Sequence, residues 1–188
     1  MMSLRWARLN EELTMNDSTS RTGSNADWEQ QLAELWASLD SHGEQEFLSR
    51  MQELAAERPP GDPVAVFERA ASLDSTGHSD LAVPLYQQAL ESGLQGDRRR
   101  RAVIQMASSL RNLGRAPDSV AMLTAERNAC SDHLDDAVSV FLALALADTG
   151  REREALSIAL TALAGHLPRY QRSAANYARL LLETEPAE

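Results

Sequence analysis

The sequence predicts an all-α chain, a solenoid of antiparallel helix pairs closed by a helical hairpin at its N-terminal end and a single helix at its C-terminal end. Three observations carry this. From Asp27 onward the apolar residues recur with the helical period. No stretch alternates apolar and polar residues as a half-buried strand does, and β-branched residues are sparse. Finally, VAVFERAASLDSTGHSDLAVPLYQQAL, AVIQMASSLRNLGRAPDSVAMLTAER and VSVFLALALADTGREREALSIALTAL align on Gly77, Gly114 and Gly150, which lie 37 and 36 residues apart.

The first pair is predicted over 27–57. Trp28, Leu32, Leu35, Trp36 and Leu39 form one apolar stripe and, after Ser-His-Gly, Phe47, Leu48, Met51, Leu54 and Ala55 form another. RPPGDP ends it, because Pro59, Pro60 and Pro63 withhold amide donors and Gly61 permits a turn. Three repeats follow over 64–92, 97–128 and 133–164. In each, a helix, a glycine turn and a second helix carry small residues at fixed offsets: Ala70, Ala107 and Ala143 seven before the glycine, and Ala82, Ser119 and Ala155 five after it. Leu73, Leu110 and Leu146 stand four before it. Small side chains let two helices cross closely while larger ones fill the space around the crossing. Residues 1–26 are polar and rich in Ser, Thr and Asn, which predicts a flexible arm, with Met15 as an alternative start.

Composition narrows the function. The chain has 188 residues, 43% of them hydrophobic, enough for a real core. Acidic residues outnumber basic ones by 28 to 18, so the molecule as a whole repels nucleic acid and anionic membranes. All 18 basic residues are arginine, which excludes a Schiff-base lysine, a P-loop lysine and a catalytic ammonium. Cys130 is the single cysteine and has no partner for an internal disulfide, and no apolar run of about 18 residues is present. The expected location is the cytoplasm.

The repeat pattern resembles the tetratricopeptide repeat family, whose unit is a helix-turn-helix of about 34 residues, and most nearly its small, cytoplasmic, three-repeat bacterial members. The matches are the small eighth position, the large eleventh, the turn glycine at fifteen and the small twentieth; Tyr86 matches the aromatic twenty-fourth, and Ala89 and Ala162 the small twenty-seventh. The fourth position departs from the family's tryptophan, holding Val66, Val103 and Ser139. On the same register RYQRSAANYARLLLE, within 168–184, sets Tyr170, Ala174 and Tyr177 at positions four, eight and eleven and reads as a capping helix. The hairpin 27–57 is expected to cap the other end of a right-handed superhelix, so that 27–188 forms one solenoid domain.

No enzyme signature accompanies this pattern. There is no nucleophile–base arrangement and no glycine-rich phosphate loop, so no catalytic residue, cofactor or metal is expected. Cys130 and His133 form a C-x-x-H, but His42, His78 and His166 belong to other turns, and the pair reads as a small interhelical thiol and a solvated imidazole. The distinctive feature is Arg98–Arg101 at a helix start, where acids are usual: Asp27, Glu29, Glu44, Glu46, Asp80, Asp118, Asp135, Asp136, Glu152 and Glu154 occupy the other starts. Only the closing helix, with Arg169 and Arg172, shares the exception.

The resemblance implies that first helices line a concave face. The second repeat would offer Arg101, Ile104, Ser108, Arg111 and Asn112, the third Val140 and Leu144 beside Ala137, Ala147 and Asp148, and the closing helix Arg179 with Gln171 and Ala175. The expected function is a non-enzymatic adaptor that holds a peptide or helical segment of another protein. Arg101, Arg111 and Arg179 would meet carboxylates, Asn112 backbone amides, and Val140 and Leu144 an apolar anchor. Arg98 would point away, so that Arg98→Glu would slightly raise stability; its neighbours would pair with Glu91 or Asp97. The alternatives are a homodimer through Trp28 and Trp36 or the convex faces, and local RNA contact through Arg98–Arg101, against which the net charge argues.

Overall fold

The computed structural model describes residues 25–183, which are helical and turn in two compact units divided between Arg58 and Pro59. No strand occurs among the described residues. The expected arm, 1–26, lies outside them except for residues 25 and 26, which already belong to a helix.

In the first unit a helix over 25–37 (α1) is followed by a 3-10 turn, Leu39–Ser41, and by Glu44–Ala56 (α2). Trp28, Leu32, Phe47 and Met51 are buried between them. The Trp28 indole donates to the Leu54 carbonyl at 2.9 Å, Trp36 meets Phe47 edge-on at 5.4 Å between centroids, and the Arg58 guanidinium lies 4.9 Å above the Trp28 ring. The apolar stripes therefore face each other as their periodicity predicts.

The second unit contains Pro63–Ser75 (α3), Ser79–Glu91 (α4), Gly96–Asn112 (α5), Ala116–Ala129 (α6), Asp135–Ala147 (α7), Glu152–Ala164 (α8) and Gln171–Leu180 (α9). The pairs α3/α4, α5/α6 and α7/α8 are the three repeats. Each packs internally, each second helix packs on the following first helix, and α3, α5 and α7 pack in succession. Helix α3 starts where the sequence allows nothing else. Pro63 sits at the first helical position, where a missing amide costs nothing, and the Asp62 carboxylate accepts from the amides of Val64 at 2.9 Å and Ala65 at 3.0 Å.

The glycine turns have one geometry. Gly77, Gly114 and Gly150 have φ of 89°, 77° and 76°, and the amide after each closes on the carbonyl of the leucine four before the glycine: His78 on Leu73 at 2.8 Å, Arg115 on Leu110 at 2.9 Å, Arg151 on Leu146 at 3.0 Å. This is a Schellman cap, in which the left-handed residue satisfies the last carbonyls of the helix. A Cβ at Gly114 would meet nothing within 4 Å, so substitution there acts on the backbone alone. Gly114→Val is expected to lower stability by about 1–3 kcal/mol, and Gly114→Asn by clearly less, as read from urea midpoints.

The small residues lie where the crossings are tightest. Ala70, Ala82, Ala107 and Ser119 have no exposed surface, and Ala143 and Ala155 very little. Around them Phe67, Tyr86, Leu110, Leu123, Leu142 and Leu146 fill the core. Phe67 and Tyr86 pack at 6.1 Å between centroids. The Tyr86 hydroxyl lies 3.5 Å from Asp74, and burial together with that carboxylate pushes the phenol well above its ordinary pKa. The same carboxylate accepts from Ser109 of α5 at 2.6 Å, a polar tie between the first and second repeats.

The closing helix corrects the sequence register. Tyr170 is not an inward residue but the N-cap of α9, left-handed at φ 68° and exposed; Tyr177 is exposed too, and the buried residue is Ala178. The reason is its neighbours. In the three repeats a second helix covers one side of the first, whereas α9 packs chiefly on α8 and no second helix follows it among the described residues. Its small residues turn inward and its tyrosines stay in solvent.

Candidate functional site

The arginine run opens α5, with Asp97 alone supplying an acid to its first turn. Its four guanidinium groups diverge. Arg98 reaches back to α3, where its Nε donates to Glu68 at 2.8 Å, a carboxylate 2% exposed. Arg99 and Arg100 reach Glu126 of α6 at 2.5 and 3.0 Å. Arg100, itself buried, also approaches the Cys130 sulfur at 2.7 Å, Asp132 at 3.0 Å and Asp135 of α7 at 2.5 Å. Burial opposes its charge, but Asp132, the Cys130 sulfur and Glu126 outweigh burial and raise its pKa. Asp135 is held low by the Ser131 hydroxyl and the Asp132 amide, helped by Arg100. Arg101 lies 5.3 Å over the Phe67 ring.

Two expectations are thereby corrected. The partners of the run are Glu68, Glu126, Asp132 and Asp135 rather than Glu91 or Asp97; Asp97 instead meets His133 at 3.1 Å. Arg98 does not face solvent as a surplus charge, so Arg98→Glu is expected to destabilise, by about 2–4 kcal/mol, because it sets a carboxylate beside buried Glu68. Thermal melts of the two proteins test this, and an unchanged or higher midpoint contradicts it.

The lining predicted for α5 and α7 is partly surface and partly core. Ile104 is buried in a cluster with Leu123, Val138 and Leu142. Ser108 is half-buried and Asn112 exposed one turn further on. Arg111 is ion-paired to Asp148, at the C-terminal end of α7, at 2.6 Å. On α7, Val140 and Leu144 are 45% and 41% exposed, one turn apart, on a helix whose Val138, Leu142, Ala145 and Leu146 are buried. Since α5 and α7 pack together, these residues are candidates for one strip: two bare aliphatic side chains on α7, hydrogen-bonding groups on α5, and the Arg111–Asp148 pair joining the helices. Arg179 belongs elsewhere. It lines a hollow of about 600 Å³ with Arg127, Asp136, Ser139, Ser157 and Thr161, a lining that includes neither Val140 nor Leu144.

A family profile described as the tetratricopeptide repeat matches residues 63–181, from the first residue of α3 to just past α9. The chain belongs to the tetratricopeptide repeat family. Members of this family generally mediate protein–protein interactions and are typically not enzymes. Neither a curated protein nor a solved structure is matched by the chain. The exposed residues of α7 are Asp136, Val140, Leu144 and Ala147, one stripe at helical spacing.

Cys130 is exposed at the end of α6, its sulfur engaged by Arg100, and His133 is exposed beside Asp97. Among the described residues no group of three or more His, Cys, Asp or Glu could hold a metal ion, and no helix is long and apolar enough to cross a membrane. The sequence reading missed Glu68 and Glu126, although a signal was present. Glu68 lies on the stripe of Val64, Phe67 and Ala71, and Glu126 on that of Ser119 and Leu123, positions where helical spacing calls for apolar residues.

Proposed function

We propose that the repeat unit is a cytoplasmic adaptor that holds an extended or helical segment of a partner protein along α5 and α7. The observation that carries this reading is the exposure of the large aliphatic Val140 and Leu144 one turn apart on α7, beside the polar edge of α5. An apolar residue of the partner packs between the two side chains, and Asn112 and Ser108 offer hydrogen bonds to its backbone. Arg111 is shared between Asp148 and an incoming carboxylate, which exchanges one charge-assisted bond for another. Arg101 contributes its outer face only, since Phe67 holds the guanidinium. Arg179, in the hollow of α9, contacts partners that extend past the strip.

The internal pairing of Arg98, Arg99 and Arg100 with Glu68, Glu126, Asp132 and Asp135 neutralises these charges and argues against a nucleic-acid surface there. The test is capture of partners from the native lysate by the wild-type chain and by Val140→Arg/Leu144→Arg. Both residues are exposed, so the variant is expected to keep its melting temperature and lose its partners. An unchanged set of captured proteins overturns the assignment of the strip.

A further inference from the structure

The second and third repeats carry the same hollow at the same offsets from their turn glycines. In the second repeat it measures about 450 Å³ and is lined by Val103, eleven before Gly114, and by Ala121, Met122, Ala125 and Glu126, seven to twelve after it. In the third it is the hollow of about 600 Å³ that Arg179 lines, and the equivalent residues are Ser139, Ser157, Ile158, Thr161 and Ala162. Three apolar positions have become hydroxyls: Val103 corresponds to Ser139, Ala121 to Ser157 and Ala125 to Thr161. The second repeat folds with valine and alanine at these places, so helix packing does not require the hydroxyls. Arg127, in the last turn of α6, and Ala175 of α9 add further walls to the third hollow, whereas α5 and α6 alone line the second.

The polar groups of the third hollow are unequally committed. Glu154 is held by Arg151 at 2.6 Å, Asp136 by His166 at 2.8 Å, and Arg179 by Glu183 and Asn176. The Thr161 hydroxyl donates to the Ser157 carbonyl at 2.8 Å. Among the described residues nothing bonds to the hydroxyls of Ser139 and Ser157 or to the Arg127 guanidinium. Ser157 is only 4% exposed, and a polar side chain so buried ordinarily has a partner. The uncommitted capacity is therefore one cation and two hydroxyl donors, beside the half-buried Ile158, Ala162 and Ala175. We propose that this hollow binds a small carboxylate with a short apolar body. The carboxylate accepts from Arg127, Ser139 and Ser157, and the body lies on Ile158, Ala162 and Ala175. The volume suits a small molecule. Asp136 and Glu154 in the same lining repel a doubly charged anion, which favours a monocarboxylate over phosphate.

The second repeat supplies the control residues. Isothermal titration calorimetry of sodium octanoate into the full chain is expected to give a Kd below about 1 mM, with octanamide and inorganic phosphate each at least about tenfold weaker. Ser139→Val/Ser157→Ala/Thr161→Ala installs the residues of the second repeat, and should keep the melting temperature while weakening octanoate at least about tenfold. Arg127→Gln changes an exposed residue and should bring octanoate to the affinity of octanamide, a result that loss of the fold would not give. No binding of octanoate up to about 5 mM overturns the proposal. So does octanoate bound no more tightly than octanamide, or an affinity that neither variant changes. Acetyl-Ala-Ala-Leu carries the same carboxylate at a chain end; if it binds more tightly than octanoate, the small-molecule assignment is overturned and the hollow belongs to a protein C-terminus.

Discussion

Arg100→Ala is expected to cost the repeat unit about 3–5 kcal/mol of stability, the range for removing one partner from a buried ionic cluster. The guanidinium is buried and lies against Glu126, Asp132 and Asp135, so its loss leaves Glu126, 3% exposed, with Arg99 as its remaining cation in this cluster. Asp132 and Asp135 are partly solvated and lose less. The acid limb carries a second signature. Asp135 has a lowered pKa in the folded chain, so its stabilising contribution is complete above the ordinary carboxylate value and lost as pH falls through the folded value. The gap between wild type and Arg100→Ala should therefore narrow below about pH 4. Urea midpoints measured at neutral and acid pH check both; a gap below about 1 kcal/mol at neutral pH would mean that the cluster is held by its surroundings rather than by Arg100.

Phe67→Ala is expected to cost as much, about 3–5 kcal/mol, by a different route. The ring is fully buried and packs on Tyr86, where α3 and α4 pack, so its loss leaves a void in the core. The ring also carries the Arg101 guanidinium. Arg101→Ala measured in the wild-type and Phe67→Ala backgrounds gives a coupling expected at about 0.5–1 kcal/mol for a partly exposed cation–π contact. A coupling of zero would show that Arg101 is placed by something other than the ring.

The fold was legible because its determinants are local and repeated. The offsets of Ala70, Ala82 and Leu73 from Gly77 recur twice, and each has a geometric cause in a helix crossing or a Schellman cap. The register of α7 predicts Val140 and Leu144 at the surface, and both are exposed there. Two things were hidden. The register of α9 depended on which neighbours cover it among the described residues, and spacing alone does not say this. The destination of the arginines depended on contacts between residues about 30 positions apart, Arg98 with Glu68 and Arg100 with Asp135, and the period of a single helix does not encode them. Glu68 and Glu126 on apolar stripes were the available clue: a buried acid requires a cation, and the only run of cations lay in α5.

The ties of α5 run in both directions, to Glu68 and Phe67 of the repeat before and to Asp135 and Asp148 of the repeat after. Seen as an address system, they make the three modules non-interchangeable. Their shared glycine turns and small crossings would let any one stack on any other, but only the native order gives buried Glu68 its arginine. Exchanging the second and third modules would keep the glycine turns and small crossings within each module while separating Glu68 from the run beginning at Arg98. The sequential identity of the repeats is thus written in their charges, whereas their common shape is written in glycine, alanine and leucine.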